Sequence, residues 1–118
     1  MKIGIVGLGL MGASFAKGFP QYHVIGYDQQ PAVMKQAFDD GAIREQASSI
    51  ESLIDQSDWI LVCLYPLATK EFFITHKDRF KPGQIISDIA GVKALFEDLV
   101  PNDGVDYIFI HPIAGRAK

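Results

Sequence analysis

The stretch Gly7-Leu8-Gly9-Leu10-Met11-Gly12 has the spacing G-x-G-x-x-G and stands between the apolar run Lys2-Ile3-Gly4-Ile5-Val6 and an amphipathic segment opening at Leu10. The pattern alone is weak; a strand before it and a helix after it make it strong. Each glycine then has a physical task. The first permits a tight turn, the second lets backbone approach a pyrophosphate, and the third lets helix and strand pack closely. The helix N-terminus adds free N–H groups and the positive end of a dipole. A phosphate loop of the Walker type is excluded, because it needs a lysine after its last glycine and Ala13 follows Gly12 here.

An acid completes the fingerprint. Asp28 ends the next apolar run, about 20 residues after Gly7, where a carboxylate can hold a ribose 2′-hydroxyl. A 2′-phosphate would call for a nearby arginine. Here Gln29 and Gln30 follow, and the next basic residue is Lys35. The expected cofactor is therefore NAD rather than NADP. The competing reading gives the glycines to packing and Asp28 to a turn cap.

The rest of the chain alternates short apolar runs with amphipathic segments. Strands are expected at Lys2–Val6, His23–Tyr27, 42–43, 59–64, 84–87 and 106–110. Helices are expected over 10–19, 32–40 (with Pro31 as a first helical residue), 49–55 capped by Ser48 or Ser49, 68–79 and 92–99. Turns fall at Pro20-Gln21, Pro82-Gly83 and 101–104. Strands apolar on both faces imply a parallel sheet covered by helices. Regular alternation implies an α/β, doubly wound, mainly parallel six-stranded sheet with helices on both faces, the Rossmann arrangement. One domain spanning residues 1–118 is the natural division, with no inner linker or repeat.

Composition narrows the partners. A net charge of -3 argues against nucleic acid or an anionic membrane surface. A single cysteine, Cys63, cannot form an internal disulfide, which suits a reducing compartment. There is no signal-peptide pattern at the start and no run of about 20 apolar residues. A cytoplasmic location is the resulting expectation.

In open α/β sheets, ligands sit at the carboxyl ends of the strands. Three stretches converge there: Leu64-Tyr65-Pro66, Asp88-Ile89-Ala90-Gly91 and His111-Pro112-Ile113-Ala114-Gly115. Leu64, Tyr65 and Pro66 are candidate cofactor contacts. His111 is the histidine placed to accept a hydroxyl proton near neutral pH, or it is a turn residue before a proline. His23 and His76 read as solvated, and the three histidines lack metal-ligand spacing, so no metal is expected. Asp88 reads as a cap for the following helix. Cys63 and Trp59 read as packing residues. Lys77-Asp78-Arg79 and Glu97-Asp98 read as solvated faces.

Taken together, the glycine loop, Gly26-Tyr27-Asp28, Leu61-Val62-Cys63-Leu64-Tyr65-Pro66, Asp88-Ile89-Ala90-Gly91-Val92-Lys93 and His111-Pro112-Ile113-Ala114-Gly115 resemble the prephenate dehydrogenase family over essentially the whole chain. The His-Pro-Ile-Ala-Gly element is the most specific part. The resemblance implies oxidation of prephenate or arogenate, with NAD taking the hydride and carboxylate loss making the ring aromatic, a step of tyrosine biosynthesis. It implies His111 as the catalytic group. Asp88, Gly91, Lys93, Pro112 and Gly115 would lie beside the substrate. The family usually has serine where Gly91 stands. Its members also continue into a helical second domain that forms a homodimer and completes the substrate pocket, so the 118 residues are expected to hold cofactor but to turn over substrate poorly. The alternatives are another hydroxyacid dehydrogenase fragment and a non-catalytic dinucleotide-binding module.

Overall fold

The computed structural model describes residues 1–90, 104–108 and 110. In chain order its elements are β1 (Lys2–Val6), α1 (Leu10–Lys17), β2 (His23–Tyr27), α2 (Pro31–Asp39), β3 (Glu45–Gln46), α3 (Ile50–Gln56), β4 (Trp59–Val62), α4 (Pro66–His76), a 3-10 turn (Lys77–Arg79), β5 (Ile85–Asp88) and β6 (Asp106–Tyr107). The six strands form one sheet in the order β3-β2-β1-β4-β5-β6, with every pairing parallel. The order reverses between β1 and β4, and a crevice opens there at the carboxyl ends of the strands.

Each face of the sheet buries its own core. Ile3, Ile5, Val24 and Leu61 point to the side covered by α1 and α2, together with Leu8, Ala16, Ala37 and Ile43. Val6, Ile25, Ile60, Val62 and Ile86 point to the other, against Leu53 and Ile54 of α3 and Phe72 and Phe73 of α4. Alternation within single strands is what lets one apolar run serve both cores. Gly4 lets α3 sit close: a Cβ there would lie 2.6 Å from Leu53 Cδ2 and 2.3 Å from Ser57 Oγ.

Local chemistry sets the helix bounds. Pro31 is the first residue of α2 and Pro66 of α4, where a missing N–H costs nothing. Ser49 caps α3, its hydroxyl accepting from the Ser52 N–H at 3.0 Å. Gly83, at φ +94°, closes the turn expected at Pro82-Gly83.

The clearest displacement from the sequence reading is β3. The apolar pair Ala42 and Ile43 is buried but lies before the strand, and the polar pair Glu45 and Gln46 bonds to β2. A sheet edge is where polar residues can hold a ladder with one side in water, while the apolar pair drops into the core beneath it. Smaller shifts occur at ends. α1 stops at Lys17, since Gly18 turns back onto Phe15 O at 2.9 Å. β4 stops at Val62, although Cys63 N–H still donates to Val6 O. α4 begins at Pro66 and ends at His76, two residues earlier and three residues sooner than the 68–79 span, with the 3-10 turn supplying the remainder. β6 is assigned only over Asp106–Tyr107, but Ile108 N–H and Ile110 N–H continue bonding to β5 carbonyls. The expected helix over 92–99 lies outside the described residues.

Candidate dinucleotide site

The glycine loop joins β1 to α1 at the crevice. Gly7 has φ +94°, and a Cβ on it would lie 2.5 Å from the Cys63 carbonyl. A Cβ on Gly12 would come within 1.8 Å of the Gly7 carbonyl, so α1 can approach the loop only through a glycine. Gly9 differs from both. A Cβ there would meet no atom of the described residues within 4 Å, so no packing contact among them accounts for it. It caps α1, whose first-turn N–H groups have no acceptor within the helix. Leu10 and Met11 are exposed at that end, while Leu8 is buried in the α1–α2 core. Leu8 thus offers the site its backbone, not its side chain.

Asp28 ties the loop to the end of β2. Its Oδ2 accepts from the Leu8 N–H and its Oδ1 from the Gln30 N–H, both at 2.9 Å. Two acceptor positions remain, because a carboxylate can take about four hydrogen bonds. Asp28 with Gly7, Val6 and Tyr27 forms one end of a cavity of about 500 Å3. Gln29 and Gln30 also line it, and among the described residues no lysine or arginine does. An open backbone at Gly9, a fixed carboxylate and an adjoining hollow of this size fit a dinucleotide.

The second loop contributes less than its sequence promised. Leu64 lines the cavity, whereas Tyr65 and Pro66 are exposed and do not. Thr69 holds this turn from below: its hydroxyl donates to the Leu64 carbonyl at 3.1 Å.

Asp88 is fully buried at the end of β5. Its Oδ1 accepts from the Ala90 N–H at 3.0 Å and its Oδ2 from the Tyr107 hydroxyl at 2.6 Å. It therefore makes the same turn contact two residues ahead that Asp28 makes, and joins β5 to β6 besides. Gly91, Lys93, His111, Pro112 and Gly115 lie outside the described residues.

His76 corrects the sequence reading. It was expected in solvent, but only 9% of its surface is exposed. Its ring packs on Phe72 with centroids 5.2 Å apart and lines the cavity. Thr69, Phe72, Phe73 and His76 are all buried and follow the i, i+3, i+4, i+7 spacing of a core-facing stripe. That spacing was the available signal, masked by the polarity of the fourth member. Ile50, Ala68, Glu71 and Thr75 complete the wall and were likewise not foreseen. His23 is exposed, with Nε2 2.9 Å from Glu45 Oε1. Cys63 is half-buried, and burial pushes its thiol up to about 12. Trp59 is partly buried and donates from Nε1 to Ser87 Oγ at 2.9 Å. Among the described residues there is no group of three metal-ligating side chains, and no helix is long and apolar enough to cross a membrane.

Comparison with known proteins adds an independent line. The family model for "Prephenate dehydrogenase, nucleotide-binding domain" matches residues 12–118. Because the match begins at Gly12, the earlier part of the glycine loop stands on its own geometry. No curated protein matches the chain. A crystal structure of prephenate dehydrogenase from A. aeolicus, in complex with hydroxyphenyl propionate and NAD+, aligns at 25% identity and a TM-score of 0.80. That alignment covers 100% of this chain and 43% of the other. A second structure of the Aquifex aeolicus enzyme aligns at 26% identity and a TM-score of 0.80, covering 98% and 44%. Synechocystis arogenate dehydrogenase shares the fold at 18% identity and a TM-score of 0.71, covering 97% and 61%. The chain spans less than half the length of the two Aquifex aeolicus structures.

Proposed function

The chain belongs to the family of prephenate dehydrogenase nucleotide-binding domains, and from that membership we propose that it is the NAD-holding part of an oxidoreductase acting on prephenate or arogenate in tyrosine biosynthesis. The observation that carries the reading is the Leu8 N–H bond to Asp28 beside the open Gly9. It puts a carboxylate suited to ribose hydroxyls next to backbone that a pyrophosphate can reach. The roles follow. Backbone of Gly7, Leu8, Gly9, Leu10, Met11 and Gly12 holds the pyrophosphate, and Asp28 holds the adenine-side ribose. Leu64 forms an apolar wall, with Tyr65 and Pro66 at its edge. NAD, when bound, supplies hydride-accepting chemistry.

The chain's own chemical group in this proposal is His111, which accepts the hydrogen bond and proton of the substrate hydroxyl. Asp88 positions the β5 end through its bonds to Ala90 and Tyr107. Gly91, Lys93, Pro112 and Gly115 lie beside the substrate, and Gly91 contributes no hydroxyl there. As part of such an enzyme the chain works in a homodimer in the cytoplasm. Hydroxyacid dehydrogenases such as Mycobacterium tuberculosis 3-hydroxyisobutyrate dehydrogenase match at 18% identity, which shows a shared fold and favours no second reading.

Steady-state NADH formation from prephenate and from arogenate tests the reaction, compared between the native protein and a His111→Asn variant. The variant should lose about 10²- to 10⁴-fold in kcat, with NAD affinity changed less than about twofold, as expected where the nucleotide contacts are intact. Tight NAD binding with no NADH formed from either substrate would contradict the proposal and favour a binding module.

A further inference from the structure

We propose that His76 is the residue that contacts the purine base of the bound dinucleotide. The inference deepens the dinucleotide reading and rests on it. Buried polar side chains almost always have hydrogen-bond partners. His76 is 9% exposed, yet among the described residues its imidazole makes no hydrogen bond. The nearest carboxylate oxygen, Glu51 Oε2, is 3.6 Å from Nδ1. Among the described residues no fully buried side-chain nitrogen or oxygen lacks a partner, so what little of His76 meets solvent includes its ring nitrogens. Phe72 thus packs on the imidazole, Glu51 stands beside Nδ1 beyond hydrogen-bond distance, and the residue lines the cavity with neither ring nitrogen fully enclosed.

The surroundings suit a flat heterocycle. Phe72 packs against the imidazole, and Ile50, Leu64 and Ala68 supply apolar wall. Asp28 lines the same hollow. A ribose on Asp28 carries its base onward into the space bounded by Ile50, Phe72 and His76. A ring nitrogen of His76 can donate to a purine ring nitrogen or accept from its exocyclic amine, according to tautomer. A purine there gives a hydrogen bond to a ring nitrogen that no protein hydrogen bond occupies among the described residues.

The test uses the wild-type 118-residue chain and two ligands that split the dinucleotide, adenosine monophosphate and reduced nicotinamide mononucleotide. Imidazole NMR signals of the three histidines are assigned by elimination with His23→Asn and His111→Asn. Adenosine monophosphate should shift the His76 signals and the mononucleotide should leave them in place. Saturation by adenosine monophosphate without a His76 shift overturns the proposal. His76→Phe keeps the ring volume and removes the nitrogens. It should weaken NADH and adenosine monophosphate by a common factor of about three- to tenfold, the worth of one hydrogen bond. His76→Gln should recover part of the loss. Wild-type affinity in a folded His76→Phe protein overturns the proposal, and if that variant does not fold the NMR result decides. If the wild-type chain binds neither NADH nor adenosine monophosphate, the dinucleotide reading itself fails; if it binds both and His76 is indifferent, only the base contact fails.

Discussion

Gly9 and Gly12 lie three positions apart and should respond oppositely to the same substitution. A methyl group on Gly12 meets the Gly7 carbonyl, which is backbone and cannot swing away. Gly12→Ala should cost about 1–3 kcal/mol, the usual range for overpacking, and lower the melting temperature. Gly9→Ala adds a methyl group to open space, so it should cost about 1 kcal/mol or less, from weaker helix capping, while removing most NADH affinity. Thermal unfolding and nucleotide titration of both variants check the pair. Cys63 gives a second expectation at this scale. Its thiol is pushed from 9.0 to about 12 by burial, so at pH 8 its thiolate fraction falls about a thousandfold below that of an unburied cysteine. Its reaction with a disulfide reagent should be slower in the folded protein, by less than that factor because a more basic thiolate is the better nucleophile, and should recover in denaturant. The glycine loop and Asp28 were legible because their chemistry is local: a turn, a helix start and an acid at the end of the next strand. His76 was not, since a histidine's place in a stripe depends on which side of α4 faces the sheet.

The two elements read least well show what periodicity measures. Ala42 and Ile43 marked burial rather than strand, and the ladder formed at Glu45 and Gln46. α4 was found, but its polar inward residue hid the wall it gives to the cavity. Asp78 and Arg79 are exposed as expected while Lys77 is half-buried, and the segment also fastens the end of α4 to α3. Arg79 Nε lies 3.0 Å from Asp55 Oδ1 and its terminal nitrogen 2.7 Å from Oδ2. The hydrogen bonds from Arg79 hold the Asp55 carboxyl below its ordinary 3.8. A depressed carboxyl contributes stability that is complete above the unfolded value and is lost as pH falls through the lowered native value. Arg79→Gln should therefore move the Asp55 titration, followed by NMR, up toward 3.8. Any stability difference from wild type should shrink as the solution is acidified below that value. An unchanged Asp55 titration would mean the pair does not persist in solution.

At the scale of the molecule, the sequence announced alternating strands and helices but not their order. Nothing local says that β4 returns to lie beside β1, and the pairing of Ile3 with Trp59 spans most of the described chain. The right-handed crossover habit and the two-sided strands narrow the choices; the final arrangement depends on Gly4 admitting α3 and on both cores closing together. That order creates the crevice at which the loop, Asp28 and Leu64 meet. The central claim is that this crevice holds NAD by way of Asp28. Its most direct test is fluorescence titration of the 118-residue chain with NADH and, in parallel, NADPH. The account predicts clear preference for NADH, lost in Asp28→Ser. Equal or tighter binding of NADPH would contradict the role given to Asp28, Gln29 and Gln30, and binding of neither would contradict the claim that the crevice is a dinucleotide site.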